Sequence, residues 1–305
     1  MSVGAIDIGS NSILLTIADR GESAAIPLKL IVDEAHVTGL SKGLAQGASI
    51  TEEARARAYK VLKHYAGILK EHRVEEFKVV ATEALRRAKN GGEVRKQIED
   101  IFSAPVEIIS GDREAELSFW SVQKEFSDSK SKKIIFDIGG ASTELCLGND
   151  QGIESSVSVK VGSVVLTEKF NLQKKCSPNP AKDYVMSLLR EVPWLEKMED
   201  TLGIGVAGTM TTLMAMEKKI SAYDRKLVHN MSITREQTDH WLSEVCARDN
   251  VDRPSLVGLS ADRADVFSGG IIILKSLIDY IGWKKVICMD AGVRLGVIYE
   301  MLKIK

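Results

Sequence analysis

Short apolar runs that end in an acid or a glycine-rich turn alternate along this chain with longer stretches in which apolar residues recur every three or four positions. The first run, Val3 to Ile8, leads into Gly9-Ser10-Asn11-Ser12, and Ile13 to Ala18 resumes the apolar pattern. That spacing predicts a β-hairpin closed by a small polar turn. Thr51, followed by Glu52 and Glu53, opens a periodic stretch to about His72, which carries the start signal of a helix. Strands are predicted at Phe77–Ala81 and Val106–Ile109, with helical segments between them. Asp112 and Glu114 stand early in a helix running toward Lys124.

Ser127 to Lys133 (SDSKSKK) is the most polar stretch of the first half and reads as the connection between two domains, or as a surface loop. Beyond it, the pattern predicts strands at Ile134–Ile138, Glu154–Val159, Ile204–Ala207 and Lys285–Met289. It predicts helices near Pro180–Arg190, over Arg263–Tyr280 (amphipathic) and over Val293–Leu302. Strands alternating with helices argue an α/β fold. The two strand–loop units also match one another at a constant offset. Asp7, Ile8, Gly9, Ser12 and Leu15 correspond to Asp137, Ile138, Gly139, Ser142 and Leu145. An internal duplication explains this economically, and two such halves facing each other would frame one cleft between two acid-bearing loops.

At 305 residues the chain is longer than a single hydrophobic core usually grows, so two domains are expected, residues 1–126 and 127–305. The last helix is free to pack back on the first domain. A formal net charge of −1 gives no global field to steer a polyanion, which argues against an extended basic nucleic-acid binder. Cys146, Cys176, Cys246 and Cys288 are widely separated, so neither a zinc site nor a disulfide framework is indicated and burial is the expected role. The N-terminal residues lack the pattern of a signal peptide, and no apolar run is long enough to span a bilayer. A cytoplasmic setting without membrane contact is the expectation.

Three loops follow apolar strands and are rich in small residues: Gly9–Ser12, Gly139–Ser142 and Gly208–Thr212. Backbone N–H groups in such turns can approach an oxyanion closely because glycine has no Cβ. The third loop enters a helix, whose N-terminus favours an anion. None is a Walker A loop. Asp7 and Asp137 end buried strands, where an unpaired carboxylate is costly, and a divalent cation shared with phosphate oxygens would remove that cost. Glu144, on the strand returning from Asp137, faces the same region. Glu114 is the best candidate to orient and deprotonate an attacking water, although a first-turn acid also serves the helix dipole. Arg86 and Arg87 could offset transition-state charge or lie on a solvated helix face.

Eight stretches together resemble the exopolyphosphatase/guanosine pentaphosphate phosphohydrolase (Ppx/GppA) family of the actin and sugar-kinase superfamily. They are AIDIGSNS (5–12), ATEALR (81–86), ISGDREA (109–115), FDIGGASTE (136–144), GSVVLTE (162–168), GVAGT (205–209), RADV (263–266) and DAGVRLG (290–296). The resemblance implies two ribonuclease-H-like (actin-like) domains with an active-site cleft between them. It implies that Glu114 activates water and that Asp137 and Glu144, with Asp7, hold Mg²⁺ or another divalent cation. Ser10, Asn11, Ser12, Gly139, Gly140, Ala141, Ser142, Gly208 and Thr209 would contact phosphate, and Arg86 would reach the phosphate chain. The implied reaction is release of terminal orthophosphate from polyphosphate or pppGpp.

Two positions depart from the family pattern. Ala141 stands where a third glycine is usual, and the last loop reads Asp-Ala-Gly-Val-Arg, so no role passes to Arg294. Longer members carry a further C-terminal helical region. An ATPase or kinase on the same fold and a non-catalytic (p)ppGpp sensor are the competing readings. A homodimer through the apolar face of the 263–280 helix is left open.

Overall fold

Two β-sheets, each with its own hydrophobic core, organise the computed structural model, which describes residues 2–23, 26–44, 48–126, 128 and 130–304. The first sheet holds β1 (Val3–Ile8), β2 (Ser12–Ser23), β3 (Ile26–Val37), β4 (Glu76–Ala81) and β5 (Val106–Ile108) in the order β3-β2-β1-β4-β5. β1, β4 and β5 run parallel, and β2 and β3 return antiparallel. The second sheet holds β6 (Lys133–Ile138), β7 (Thr143–Asn149), β8 (Gly152–Val159), β9 (Leu202–Val206), β10 (Met231–Thr234) and β11 (Lys285–Cys288). Its order is β10-β11-β9-β6-β7-β8, with β6, β9 and β11 parallel. Read from β8 to β11, the second sheet repeats the strand order and directions of the first, and β10 is an addition at its edge. The offset seen in the sequence is therefore a repeat of topology.

In the first unit α1 (Glu52–Glu71) starts at Thr51, whose hydroxyl accepts from the Ala54 N–H. Its residues Ala54, Ala58, Leu62, Tyr65 and Leu69 are buried against Ile6, Ile8, Ile13, Leu15 and Ile17. α2 (Glu83–Arg87) and α3 (Gly91–Phe102) add to the same core. Strand alternation sends Asp7, Thr16 and Asp33 to the opposite face of the sheet. The helices associated with that side are α4 (Gly111–Glu125) and α11 (Val293–Met301), which pack on one another. Arg294 of α11 is buried there, donating to Asp33 through two nitrogens at 3.0 and 3.1 Å and to Thr16 Oγ1 at 3.0 Å.

The second unit carries α5 (Ser163–Phe170), α6 (Asn179–Leu189), α7 (Ala207–Glu217), α8 (Arg225–Val228), α9 (Arg235–Cys246) and α10 (Phe267–Ile281). The units divide as Met1–Ser127 with Ala291–Lys305, and Asp128–Asp290. Residues 291–305, placed with the second domain by a linear division, thus cluster with the first. The reason is that α11 packs on α4, β1 and β2, where Arg294 also pairs with Asp33, 261 positions away. The connection at 127–133 falls on this boundary, although Ser127 and Ser129 lie outside the described residues.

Two further expectations change. The helix predicted from Arg263 begins at Phe267, because the preceding residues close turns, with Arg263 and Ala264 N–H both on Ser260 O at 3.1 Å. Nor is α10 amphipathic: every residue from Phe267 to Ile278 is buried, including Lys275, so its apolar face belongs to the unit's own core. Among the described residues no helix is long and apolar enough to cross a membrane.

Candidate active site

The first acid-bearing loop leaves the carboxyl end of β1. Gly9 N–H donates to Ser12 O at 3.0 Å and closes the turn, and a Cβ at Gly9 would stand 2.9 Å from that oxygen. The loop carbonyls face away from the turn. Ser10 O accepts from Ser41 N at 2.8 Å, and Asn11 O accepts from Thr38 N and Gly39 N, both at 2.9 Å. Among the described residues the N–H groups of Ser10 and Asn11 donate no backbone hydrogen bond, which leaves them for an anion.

Asp7 pairs across the strands with Leu14 and Val80, so no second carboxylate stands opposite it. Its Oδ1 is covered and has no hydrogen-bond partner among the described residues. Burial pushes this carboxyl up to about 7, opposed by the attraction of Arg294.

The carboxyl ends of β4 and β5 lie on the same edge of this parallel set, where ligands of open α/β sheets collect. After β4, Thr82 N–H donates to Ile8 O at 3.2 Å and α2 follows. Arg86 pairs with the buried Glu83 and donates to Ile109 O, so its guanidinium is tied to the turn that starts α4. Arg87 lies 3.8 Å from Glu83. After β5, Ser110 caps α4 by accepting from Arg113 N at 3.1 Å. Glu114 sits in the first turn with only 8% of its surface exposed. A helix N-terminus favours the ionised form of such a carboxylate.

The loop in the second unit repeats the turn. Gly139 N–H donates to Ser142 O at 3.0 Å, while Gly139 O and Gly140 O are held by the first amides of α5. Ser163 N lies 2.9 Å from Gly139 O, and Val164 N and Val165 N lie 2.9 and 3.2 Å from Gly140 O. The N-terminus of α5 is thus occupied by the loop, and the loop's own amides point elsewhere. Gly162 makes this docking feasible, since a Cβ there would fall 2.4 Å from Gly140 C.

Here the strand pairing differs from the first unit in one decisive respect. Asp137 of β6 stands directly opposite Glu144 of β7, and Glu144 stands opposite Ser158 of β8. Directly opposed residues share a face, with Cβ atoms roughly 4.5–5.5 Å apart, and two carboxylates so placed repel. Both are buried, with 8% and 2% of their surface exposed. Ser158 Oγ donates to Glu144 Oε1 at 2.8 Å and accepts from Lys160 Nζ at 3.3 Å. This donor set, two close carboxylates of which one is fixed by a hydroxyl, fits a hard divalent cation that completes its shell with phosphate oxygens and water. No group of three or more His, Cys, Asp or Glu gathers as a metal site among the described residues, so protein ligands alone would not enclose the ion.

β9 delivers the third loop. Ala207 takes a left-handed conformation (φ 63°), and Gly208 follows directly against the Arg263 guanidinium, where a Cβ would stand 1.9 Å from Nη1. Thr209 Oγ1 lies 3.5 Å from Ile138 O and so ties α7 to the end of β6.

Within each unit the expected residues therefore gather on one edge. Asp7, Ser10–Ser12, Arg86 and Glu114 do so in the first, and Asp137, Glu144, Gly139–Ser142, Gly208 and Thr209 in the second. Sequence reasoning missed Ser158 and gave Gly162, which opens one of the family-like stretches, no role. A strand stretch of alternating small polar residues, Ser156 and Ser158, was the available signal, but its register against Glu144 is not a local property.

The sequence model of the Ppx/GppA phosphatase family matches residues 16–305. The chain belongs to that family. It is 33% identical over 292 residues to exopolyphosphatase 2 of Mycobacterium tuberculosis, covering 90% of this chain and 89% of that one. It is 36% identical over 306 residues to a bifunctional 3-dehydroquinate synthase/phosphatase of Fusobacterium nucleatum, covering 97% of this chain but only 46% of that protein. The crystal structure of an exopolyphosphatase from Cytophaga hutchinsonii superposes with a TM-score of 0.88 at 26% identity, covering 99% and 98% of the two chains. The two-sheet α/β fold expected from the motifs is thus shared with a solved exopolyphosphatase structure.

Proposed function

We propose that this Ppx/GppA family member is a metal-dependent phosphohydrolase that releases terminal orthophosphate from polyphosphate or pppGpp. The observation that carries the reading is the opposed Asp137–Glu144 pair beside a loop whose carbonyls are held away from its amides. Near-full-length similarity to an exopolyphosphatase supports the polyphosphate arm, and the family as a whole supports both.

Asp137 and Glu144 would hold Mg²⁺, which when bound offsets charge on the phosphate oxygens. The amides of Gly140 and Ala141 bind phosphoryl oxygens beside that carboxylate pair, and those of Ser10 and Asn11 offer a second anion-binding turn within the first unit. Thr209, Gly208 and Arg86 add to the anion's surroundings. Glu114 accepts a proton from a water whose oxygen attacks the terminal phosphorus, and the bond to the bridging oxygen breaks as orthophosphate forms. Most of the rate comes from positioning and fixed charge, because phosphoryl transfer gives a protein little covalent work.

Metal titration of phosphate release tests this. Asp137→Asn and Glu144→Gln should each raise the Mg²⁺ concentration for half-maximal activity and lower kcat. An unchanged titration in both variants would remove these two residues from the metal site.

A further inference from the structure

Cys176 and Cys246 are 70 positions apart (246 − 176) and adjacent in the second unit. Cys176 lies in the turn-rich stretch between α5 and α6, and Cys246 is the last residue of α9. Cys176 N–H donates to Cys246 O at 3.1 Å. Two more bonds flank it: Asn250 N to Gln173 O at 2.7 Å and Lys175 N to Asp249 Oδ1 at 2.6 Å. A direct backbone bond of this kind places the two Cα atoms roughly 5–6 Å apart, inside the range a disulfide can bridge. The two side chains are near enough that Cys176 adds to the upward push on the Cys246 thiol.

Arg253 holds both segments in place. It is fully buried and donates to Val245 O at 3.1 Å, next to Cys246, and to Leu172 O at 2.7 Å, four residues before Cys176. Its guanidinium is close enough to act on both sulfurs. Cys176 is part-exposed, whereas Cys146, Cys246 and Cys288 are buried. An oxidant in solution therefore meets Cys176 first.

We propose that Cys176 and Cys246 form a reversible disulfide on exposure to a hydroperoxide. Attack of the Cys176 sulfur on hydrogen peroxide breaks the O–O bond, forms an S–O bond and releases one water. The Cys246 sulfur then attacks the Cys176 sulfenic acid. The S–O bond breaks, the S–S bond forms, and the Cys246 proton leaves with the hydroxyl as a second water. Burial pushes the Cys246 thiol up to about 12, so it stays protonated until the sulfenic acid forms beside it. Two electrons pass from the two sulfurs to the peroxide. Closing a loop of this length restricts the unfolded chain, so the oxidised protein is the more stable form.

The test uses the full chain, reduced and then treated with a small excess of hydrogen peroxide. The expected result is a mass loss of about 2 Da. Thiols titratable in denaturant should fall from four to two, and a peptide map should join Cys176 to Cys246. The melting temperature should rise by roughly 5–10 °C and return on adding dithiothreitol. Cys176→Ser and Cys246→Ser should each abolish the rise. Four thiols remaining, oxygen added without a cross-link, or a link between any other pair would overturn the proposal. The wild-type map decides even if a serine variant fails to fold.

Discussion

Adding one methyl group at Gly162 separates the packing of the second loop from its chemistry. In Gly162→Ala the new Cβ would stand 2.4 Å from Gly140 C and 2.5 Å from both Gly140 O and Ala141 N. Contacts of that kind normally lie near 3.4–4 Å, so something must yield by about 1 Å. All three atoms are backbone, and no side-chain rotation relieves the overlap. If the start of α5 recoils, the bonds from Ser163, Val164 and Val165 to the loop carbonyls weaken, at about 1 kcal/mol each. If the loop recoils, its amides move by a distance that costs about 10² in rate when it misplaces a reacting group. Overpacking of this sort costs about 1–3 kcal/mol, which in a unit of this size lowers the melting temperature by roughly 2–10 °C. Phosphate release measured well below the melting temperature, beside a thermal melt, reads both terms. The expectation is a kcat reduced about 10²-fold with a modest loss of stability. Gly67→Ala, in open space on α1, is the control and should leave kcat unchanged and stability equal or higher. Wild-type kcat in a Gly162→Ala protein whose Ser163–Val165 amides keep their hydrogen-exchange protection, so that the loop and not α5 has moved, would refute the assignment of Gly139–Ser142 as the phosphate cradle.

Other substitutions probe the third loop, the carboxylate pair and the first acid. Ala207→Gly should stabilise the chain by about 1 kcal/mol in a thermal melt, because Ala207 holds a left-handed conformation that costs an alanine more than a glycine. Ser158→Ala frees Glu144 Oε1 from its hydrogen bond and should weaken metal activation by about 10–100-fold, read as a shifted Mg²⁺ titration at unchanged melting temperature. Asp7 makes a signed pH prediction. Its folded pKa of about 7 lies above the 3.8 of an unperturbed aspartate, so the native state binds the extra proton between these values. Its contribution to stability is therefore lost as pH rises through that window. Asp7→Asn should then gain stability over wild type at pH 8 relative to pH 4 in paired melts, and an equal difference at both pH values would contradict the burial argument.

Much of the site was legible because its acids and glycines stand at the ends of uniformly apolar strands, as at Ile6–Gly9 and Phe136–Gly140. Burial on both faces leaves such strands no polar alternation, and the turn residues mark their ends. β3 was not legible, because Lys29, Asp33, Glu34 and His36 interrupt its apolar residues at the sheet's edge, where one side meets solvent. The sequence left the last helix free to pack back on the first unit, but nothing local to Arg294 or Asp33 announces that the two meet there. The same holds for Ser158 against Glu144 and for Cys176 against Cys246. Each is a partnership set by register or topology. The start of α10 was misplaced for a different reason: Arg263–Val266 have helical periodicity, yet their N–H groups close turns on Ser260 and Arg263.

The central claim is that Glu114 turns a bound phosphate chain into a substrate for water. Phosphate release with Mg²⁺ from long-chain polyphosphate, short-chain polyphosphate, pppGpp and ATP, wild type beside Glu114→Gln, tests it most directly. Release from polyphosphate or pppGpp is expected, with kcat lowered by about 10²–10⁴ in the variant and binding retained. Equal turnover by wild type and variant, or binding of pppGpp with no release by either, would contradict it.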